Sequence, residues 1–331
     1  MGRVIAVTNL KGGIGKTTTV VNVGAGLALK GARVLLVDVD AQGNLAMALG
    51  MHPKRTLYEA LVDGADPAKC ITPARPNLDL LAADESLLAA QPTIARRPDW
   101  PRVLEQALRP IKREYDFIFI DCGGSLTVLN INALTAASDV LVPTTVEPFS
   151  IKGLDMLVKQ VIRVKNSASS ICVIVPTMFD PRLKQSHTLL AQLTTTYGAL
   201  VASPVRVNVK LSEASAEGRT IYEFDPRSRG AYDYAMLVER LSERWAFQPA
   251  AEPPISSTPA VLLTVAPSRP VPLAEPAQAE APMVAGAGTL LVGSCPNCGH
   301  ELGRAMVAGY RVIYCDNCKY RRQELATGTR R

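Results

Sequence analysis

Short apolar runs alternate with longer amphipathic or small-residue stretches through the first 247 residues. The runs at 4–9, 33–38, 78–82, 117–121, 139–144 and 171–177 are mostly rich in Val, Ile or Leu. They are continuous rather than alternating, which predicts strands covered on both faces. Helical patterns fall between them, for example over 101–113, 151–165, 186–196 and 230–246, and a small-residue helix is predicted from Thr17 to about Leu29. Strands alternating with helices predict an α/β fold with a doubly wound, mostly parallel sheet. Ligands of such sheets bind at the carboxyl ends of the strands.

The pattern breaks after residue 247. Nine of the 41 residues in 248–288 are proline, most others are Ala, Val, Ser or Glu, and no periodicity survives. This stretch reads as a Pro/Ala-rich flexible linker. Residues 289–325 then form a second small unit, followed by a basic tail at 326–331. Tyr310, Val312 and Tyr314 alternate as on a strand.

Composition adds compartment and charge. No apolar run approaches the roughly 20 residues that span a bilayer. The predicted first strand leaves no room for a signal peptide, so a cytoplasmic address is expected. Cys70, Cys122 and Cys172 are scattered and read as buried free thiols. Cys295, Cys298, Cys315 and Cys318 form two C-x₂-C pairs around a 16-residue insert. In a cytoplasmic chain that spacing predicts a tetrahedral Cys₄ site for Zn²⁺, a zinc-ribbon-like module that needs its metal to fold. His300 lies close but is expected at the surface, since four thiolates complete such a site. The net charge of +6 is weak evidence for nucleic-acid binding. Residues 289–331 hold seven Lys/Arg against three Asp/Glu.

The chemistry begins at Lys11-Gly12-Gly13-Ile14-Gly15-Lys16-Thr17-Thr18, between the first strand and its helix. Strand, glycine-rich turn and helix N-terminus together make a phosphate cradle. Lys16 can reach the outer phosphates, and the Thr17 hydroxyl can ligate Mg²⁺. A second constellation is Asp38-Val39-Asp40-Ala41-Gln42-Gly43-Asn44. Two acids after a strand can hold Mg²⁺ indirectly and orient a water, or can simply cap the next helix. A third is the apolar strand ending in Asp121, followed by Cys122-Gly123-Gly124-Ser125-Leu126. A carboxylate there sits beside the Mg²⁺ shell.

Lys11, at the start of the loop, gives the chain its resemblance to the ParA/MinD family of deviant Walker ATPases, whose mark is KGGxGK[ST], and within it to the ParA/Soj branch. The segment 38–44 is similar to the family's DxDPQGN, with Ala41 for the proline. The segment 121–126 is similar to DCPPSL, with Gly123-Gly124 for both prolines. Thr145 to Leu157, Pro176 to Asp180, Asn208 to Ala214 and Tyr222 to Gly230 resemble further family segments in order. The resemblance covers about residues 1–245 and implies an ATPase that uses ATP and Mg²⁺. It implies that Lys11 crosses a homodimer interface to the partner's nucleotide and that Asp40 positions the attacking water. Asn208 is implied as a contact near the base, although the usual IPRN reads Val205-Arg206-Val207-Asn208. The diglycine predicts a more flexible loop that senses the γ-phosphate.

The function implied is a slow ATPase that closes as a dimer with ATP, binds DNA non-specifically at the nucleoid, and is stimulated by a ParB-like centromere-binding protein. Arg182 and Lys210 are the expected DNA contacts, with Arg206 and Arg219 weaker and Arg227 and Arg229 as neighbours. A relative that positions a protein cargo is the alternative. A MinD-like membrane switch is disfavoured, because no basic amphipathic helix ends the chain and no membrane partner is expected. A reductase related to nitrogenase iron protein is disfavoured, because its cluster site needs two cysteines per protomer and this sequence has no second cysteine in a fitting loop between the 78–82 strand and Asp121. The zinc unit would serve an unknown partner, either as a protein adaptor or as a nucleic-acid tether; Lys319, Arg321 and Arg322 favour anions modestly.

Overall fold

The computed structural model describes residues 2–248 and, beyond them, 295, 298, 300–307, 310–314, 317 and 321–325. The chain divides into two units near residue 256. The first is built on a seven-stranded sheet: β1 (Arg3–Val7), β2 (Val34–Asp38), β3 (Thr72–Arg75), β4 (Leu78–Leu81), β5 (Phe117–Asp121), β6 (Asp139–Thr145) and β7 (Ile171–Thr177). The order across the sheet is β3-β4-β2-β5-β1-β6-β7. All neighbours run parallel except the edge strand β3, which is antiparallel to β4.

Among the described residues this unit has eleven α-helices: α1 (Lys16–Leu29), α2 (Asn44–Ala48), α3 (Leu57–Leu61), α4 (Ser86–Ala95), α5 (Val103–Leu108), α6 (Val128–Ala136), α7 (Pro148–Lys165), α8 (Lys184–Tyr197), α9 (Val209–Ala216), α10 (Ile221–Phe224) and α11 (Arg229–Arg244). They cover both faces, so alternate strand residues enter two separate cores. Ile118 and Ile120 pack with α4, α5, α6 and α7. Phe117 and Phe119 pack on the other face with α1 and α11. This is why the strands read as continuous apolar runs. Along α1, a Cβ at Gly24 would stand 2.7 Å from Leu36 Cδ2 of β2. Small residues therefore let this helix lie close on the sheet.

Register fixes the site. In β2 and β5, Asp38 lies opposite Asp121, and Val7 at the end of β1 lies opposite Asp121 on its other side. Three carboxyl ends thus meet where the phosphate loop leaves β1.

The predicted elements are largely present, with informative differences. The strand expected over 4–9 ends at Val7. The helix expected over 101–113 is broken into a 3₁₀ turn at Trp100–Arg102, α5, and a second 3₁₀ turn at Lys112–Glu114. Helix α7 starts at Pro148 rather than 151 because proline suits the first helical position.

In the second unit, β8 (Gly303–Val307), β9 (Tyr310–Tyr314) and β10 (Arg321–Leu325) form an antiparallel sheet in the order β10-β9-β8. Cys315 and Cys318 lie outside the described residues, as do the linker 248–288 (apart from its first residue) and the tail 326–331.

Candidate functional site

The phosphate loop is pinned from both flanks. Asn9 Nδ2 donates to Pro143 O at 2.7 Å, and Asn9 Oδ1 accepts from Lys11 N. On the far side, Thr177 Oγ1 donates to Ile14 O at 2.8 Å. Gly13 and Gly15 hold positive φ values of 69° and 86°, which a side chain would resist. Gly15 is also the N-cap of α1, so the helix's positive end opens on the loop.

The loop borders a cavity of about 670 Å³ lined on one side by residues 12–18 and on the others by Asp40, Gly124 and Asn130. Lys16 is buried and donates to Lys11 O at 3.0 Å. Burial lowers its pKa, against the opposing pull of the Asp121 and Asp40 carboxylates. Thr17 Oγ1 donates to Asp121 Oδ2 at 2.6 Å, while Asp121 Oδ1 is buried without a partner. Burial pushes the Asp121 pKa up to about 7, although the Thr17 hydrogen bond and Lys16 oppose it. Burial also raises Asp38 well above the usual carboxylate range, and Asp121 adds to that. The Asp38 oxygens accept from Asp40 N at 2.9 Å and Leu45 N at 3.0 Å. Asp38 therefore shapes the turn, and Asp40 is the acid of the pair that lines the cavity.

Lys11 is placed differently from Lys16. Its ammonium lies 2.5 Å from Glu147 Oε2 and donates to Ser150 Oγ at 3.2 Å and Thr145 Oγ1 at 3.4 Å. These partners come from the end of β6 and the start of α7. No local motif signals this clasp.

A second cavity, of about 600 Å³, adjoins the first and is lined by Gly15, Thr18, Met178, Val207, Asn208 and Leu211 among others. Asn208 caps α9, accepting from Lys210 N at 2.9 Å. Its mostly apolar wall suits the flat face of a base.

Each expected DNA contact is ion-paired within the chain. The Arg182 guanidinium makes two bonds to Asp180, Lys210 meets Glu213 and Arg219 meets Glu217. Arg206 grips the buried Asp233 of α11 through Nε and Nη2, its shortest contact being 2.6 Å. Its guanidinium is thereby committed to the core's edge. Arg227 and Arg229 are exposed.

Around the C-terminal pairs, Cys295 N donates to His300 O at 2.7 Å, closing the first turn. Exposed His300 contacts Asn317, which stands between Cys315 and Cys318 in sequence, at 3.4 Å. Cys70, Cys122 and Cys172 are buried free thiols. Burial raises the pKa of each.

Comparison with known proteins agrees with this geometry. A family model described as an AAA domain matches residues 2–173. The sporulation initiation inhibitor protein Soj of Bacillus subtilis is 40% identical over 254 residues, spanning 73% of this chain and 99% of that protein. The chromosome-partitioning ATPase Soj of Treponema pallidum is 38% identical over 250 residues, spanning 74% and 98%. Among solved structures, cobyrinic acid a,c-diamide synthase from Mycobacterium smegmatis, with a bound ATP analog and magnesium, superposes with a TM-score of 0.65 at 30% identity over 74% of this chain and 96% of that one. The phosphate loop with two lysines, the paired acids on neighbouring strands and these relatives agree: the chain belongs to the ParA/Soj family of deviant Walker partitioning ATPases.

Proposed function

We propose that the chain is an ATP-dependent dimerising switch that binds DNA non-specifically in its ATP state and acts in chromosome or plasmid partitioning. The observation that carries this is the placement of the two lysines. Lys16 lies inside its own phosphate cradle, whereas Lys11 holds its ammonium outside it, on Glu147, Thr145 and Ser150. A half-exposed cation at the rim is free to exchange these partners for phosphates bound by a second copy.

The buried acids fit a divalent cation. Asp121 keeps one unpaired buried oxygen, and its other oxygen touches the Thr17 hydroxyl. Thr17 and Asp121 would hold Mg²⁺, with Asp38 behind them, and its charge would offset that of the ATP phosphates. The amides of residues 12–18 and the Lys16 ammonium hold the phosphates. Asp40 orients the attacking water, and the apolar second cavity with Asn208 receives the adenine. Hydrolysis is slow alone and is stimulated by a ParB-like partner, which returns the chain to the open form at the nucleoid.

Arg182, Lys210 and Arg219 are exposed enough to exchange their acid partners for DNA phosphates, with Arg206 secondary because of Asp233. For the C-terminal unit, Cys295, Cys298, Cys315 and Cys318 would hold Zn²⁺. The contact of Asn317, which stands between Cys315 and Cys318 in sequence, with His300, two residues after Cys298, supports this. So does the register, which sets Tyr314 opposite Gly303 and Arg321.

DNA retention with ATP, with ADP and without nucleotide, for the wild type and Lys16→Ala, tests the switch. Retention is expected for the wild type with ATP alone and falls steeply with salt. Equal retention in all three states rejects the reading.

A further inference from the structure

Gly123 and Gly124 stand where the DCPPSL motif that this segment resembles has two prolines. A diglycine loop has no stiffness of its own. Yet this loop stands where small displacements matter. A Cβ on Gly123 would lie 3.3 Å from Asp40 Oδ2, and one on Gly124 would lie 3.4 Å from Gly12 N. The loop therefore borders both the acid that faces the cavity and the start of the phosphate cradle.

Helix α6 supplies a tether. Asn130 Nδ2 donates to Gly123 O at 3.0 Å and to Ser125 O at 2.5 Å, so one amide bridges both sides of Gly124. The helix is itself anchored. Asn132 Oδ1 accepts from Leu104 N at 3.1 Å, and Asn132 Nδ2 donates to Trp100 O at 2.7 Å. Asn130 is 2% exposed and lines the nucleotide-side cavity, and its Oδ1 is buried without a partner. A buried carbonyl without a donor is costly, and an apolar residue of similar size would avoid that cost. The arrangement is accounted for by what the other end of the amide holds.

We propose that Asn130 is a positioning residue for ATP hydrolysis, its amide fixing the diglycine loop against Asp40 and Gly12 in place of the missing prolines. It touches no reacting atom; it acts through residues 123–125. This rests on Asp40 as the residue that orients the attacking water.

The test uses the full chain with MgATP. Asn130→Asp keeps the shape and removes the two donors; Asn130→Ala removes the side chain. Both should lower kcat about tenfold, within the range that a misplaced catalytic group costs, while KM for ATP stays within about twofold. Amide hydrogen exchange over residues 122–127 should quicken in both. Adding Gly123→Pro and Gly124→Pro to the Asn130→Ala chain should restore most of kcat and slow the exchange again. Unchanged kcat in both single variants overturns the proposal, and so does exchange no faster than in the wild type. Should the prolines alone abolish turnover, exchange in the two single variants decides. Asp40→Ala keeps the two readings apart. If it turns over like the wild type, the assignment of Asp40 fails, while the tether is still read from exchange.

Discussion

The paired acids show how burial sets the chemistry of single residues. Asp121 has a folded-state pKa raised to about 7, chiefly by burial, and Asp38 is raised by burial and by Asp121. In the metal-free protein the folded chain then binds more protons than the unfolded chain between about pH 4 and about pH 7. Stability from these groups is therefore present at the acid end and is lost as pH rises through that window. Thermal melts of the metal-free chain should show Tm falling from pH 5 to pH 8, and Asp121→Asn should flatten the fall. A Tm that rises in parallel for both proteins would contradict the assignment. Lys11 offers a second prediction. Its pair with Glu147 leaves side-chain exposures of 42% and 56%, so the bond is worth about 0.2–1 kcal/mol. Glu147→Gln removes two such bonds per dimer, about 0.4–2 kcal/mol, and should then lower the protein concentration needed for ATP-dependent dimerisation by about 2- to 30-fold in sedimentation. Weaker dimerisation would mean that Glu147 serves the closed state instead. The phosphate loop, Asp40 and Asp121 were legible in the sequence because each motif is local. The clasp was not, since Lys11 and Glu147 stand 136 positions apart and meet only through the β1–β6 pairing.

Elements differ in legibility for reasons of packing. The buried parallel strands announce themselves by continuous Val, Ile and Leu. Strand β3 does not: Thr72–Arg75 reads TPAR, partly exposed, with a proline on an edge strand, where among the described residues no second strand is left short of the N–H that proline lacks. Helix α4 hides similarly, with Pro92 inside it. The turn between β2 and α2 was visible as a motif, but its dependence on one glycine was not. Gly43 holds φ 64° as the N-cap of α2, and a Cβ there would stand 2.8 Å from Ala83 O, a backbone atom. Neither strain can be relieved by a side-chain rotation. Gly43→Ala should cost about 2 kcal/mol or more in denaturant unfolding, beyond the usual penalty for a left-handed alanine. It should also lower turnover, because Gly43 N donates to Asp40 O at 3.0 Å. A variant of wild-type stability would show that the turn can re-form without positive φ. Residues 123–130 illustrate the converse: the diglycine predicts a loose loop, and the compensating amide lies only a few residues away, but its aim depends on how α6 begins at Thr127.

At the scale of the molecule, the two units make separate demands on the chain. Every member of the two large cores lies between Val4 and Phe247, and the parallel sheet closes without any described residue beyond them. The three C-terminal strands pair with one another. They are five residues each, too little apolar surface to hold a fold without a staple. Stability of the first unit should therefore be indifferent to the second, whereas the second should depend on its metal. Removing residues 248–331 should leave ATP-dependent dimerisation and turnover within about twofold of the full chain, the margin within which independent changes add. The full chain should carry about one zinc, the number one Cys₄ site takes. Cys298→Ser should release it, with loss of slow hydrogen exchange confined to β8, β9 and β10. Loss of dimerisation on truncation would overturn the separation. A full chain without zinc, its three strands still protected, would overturn the staple.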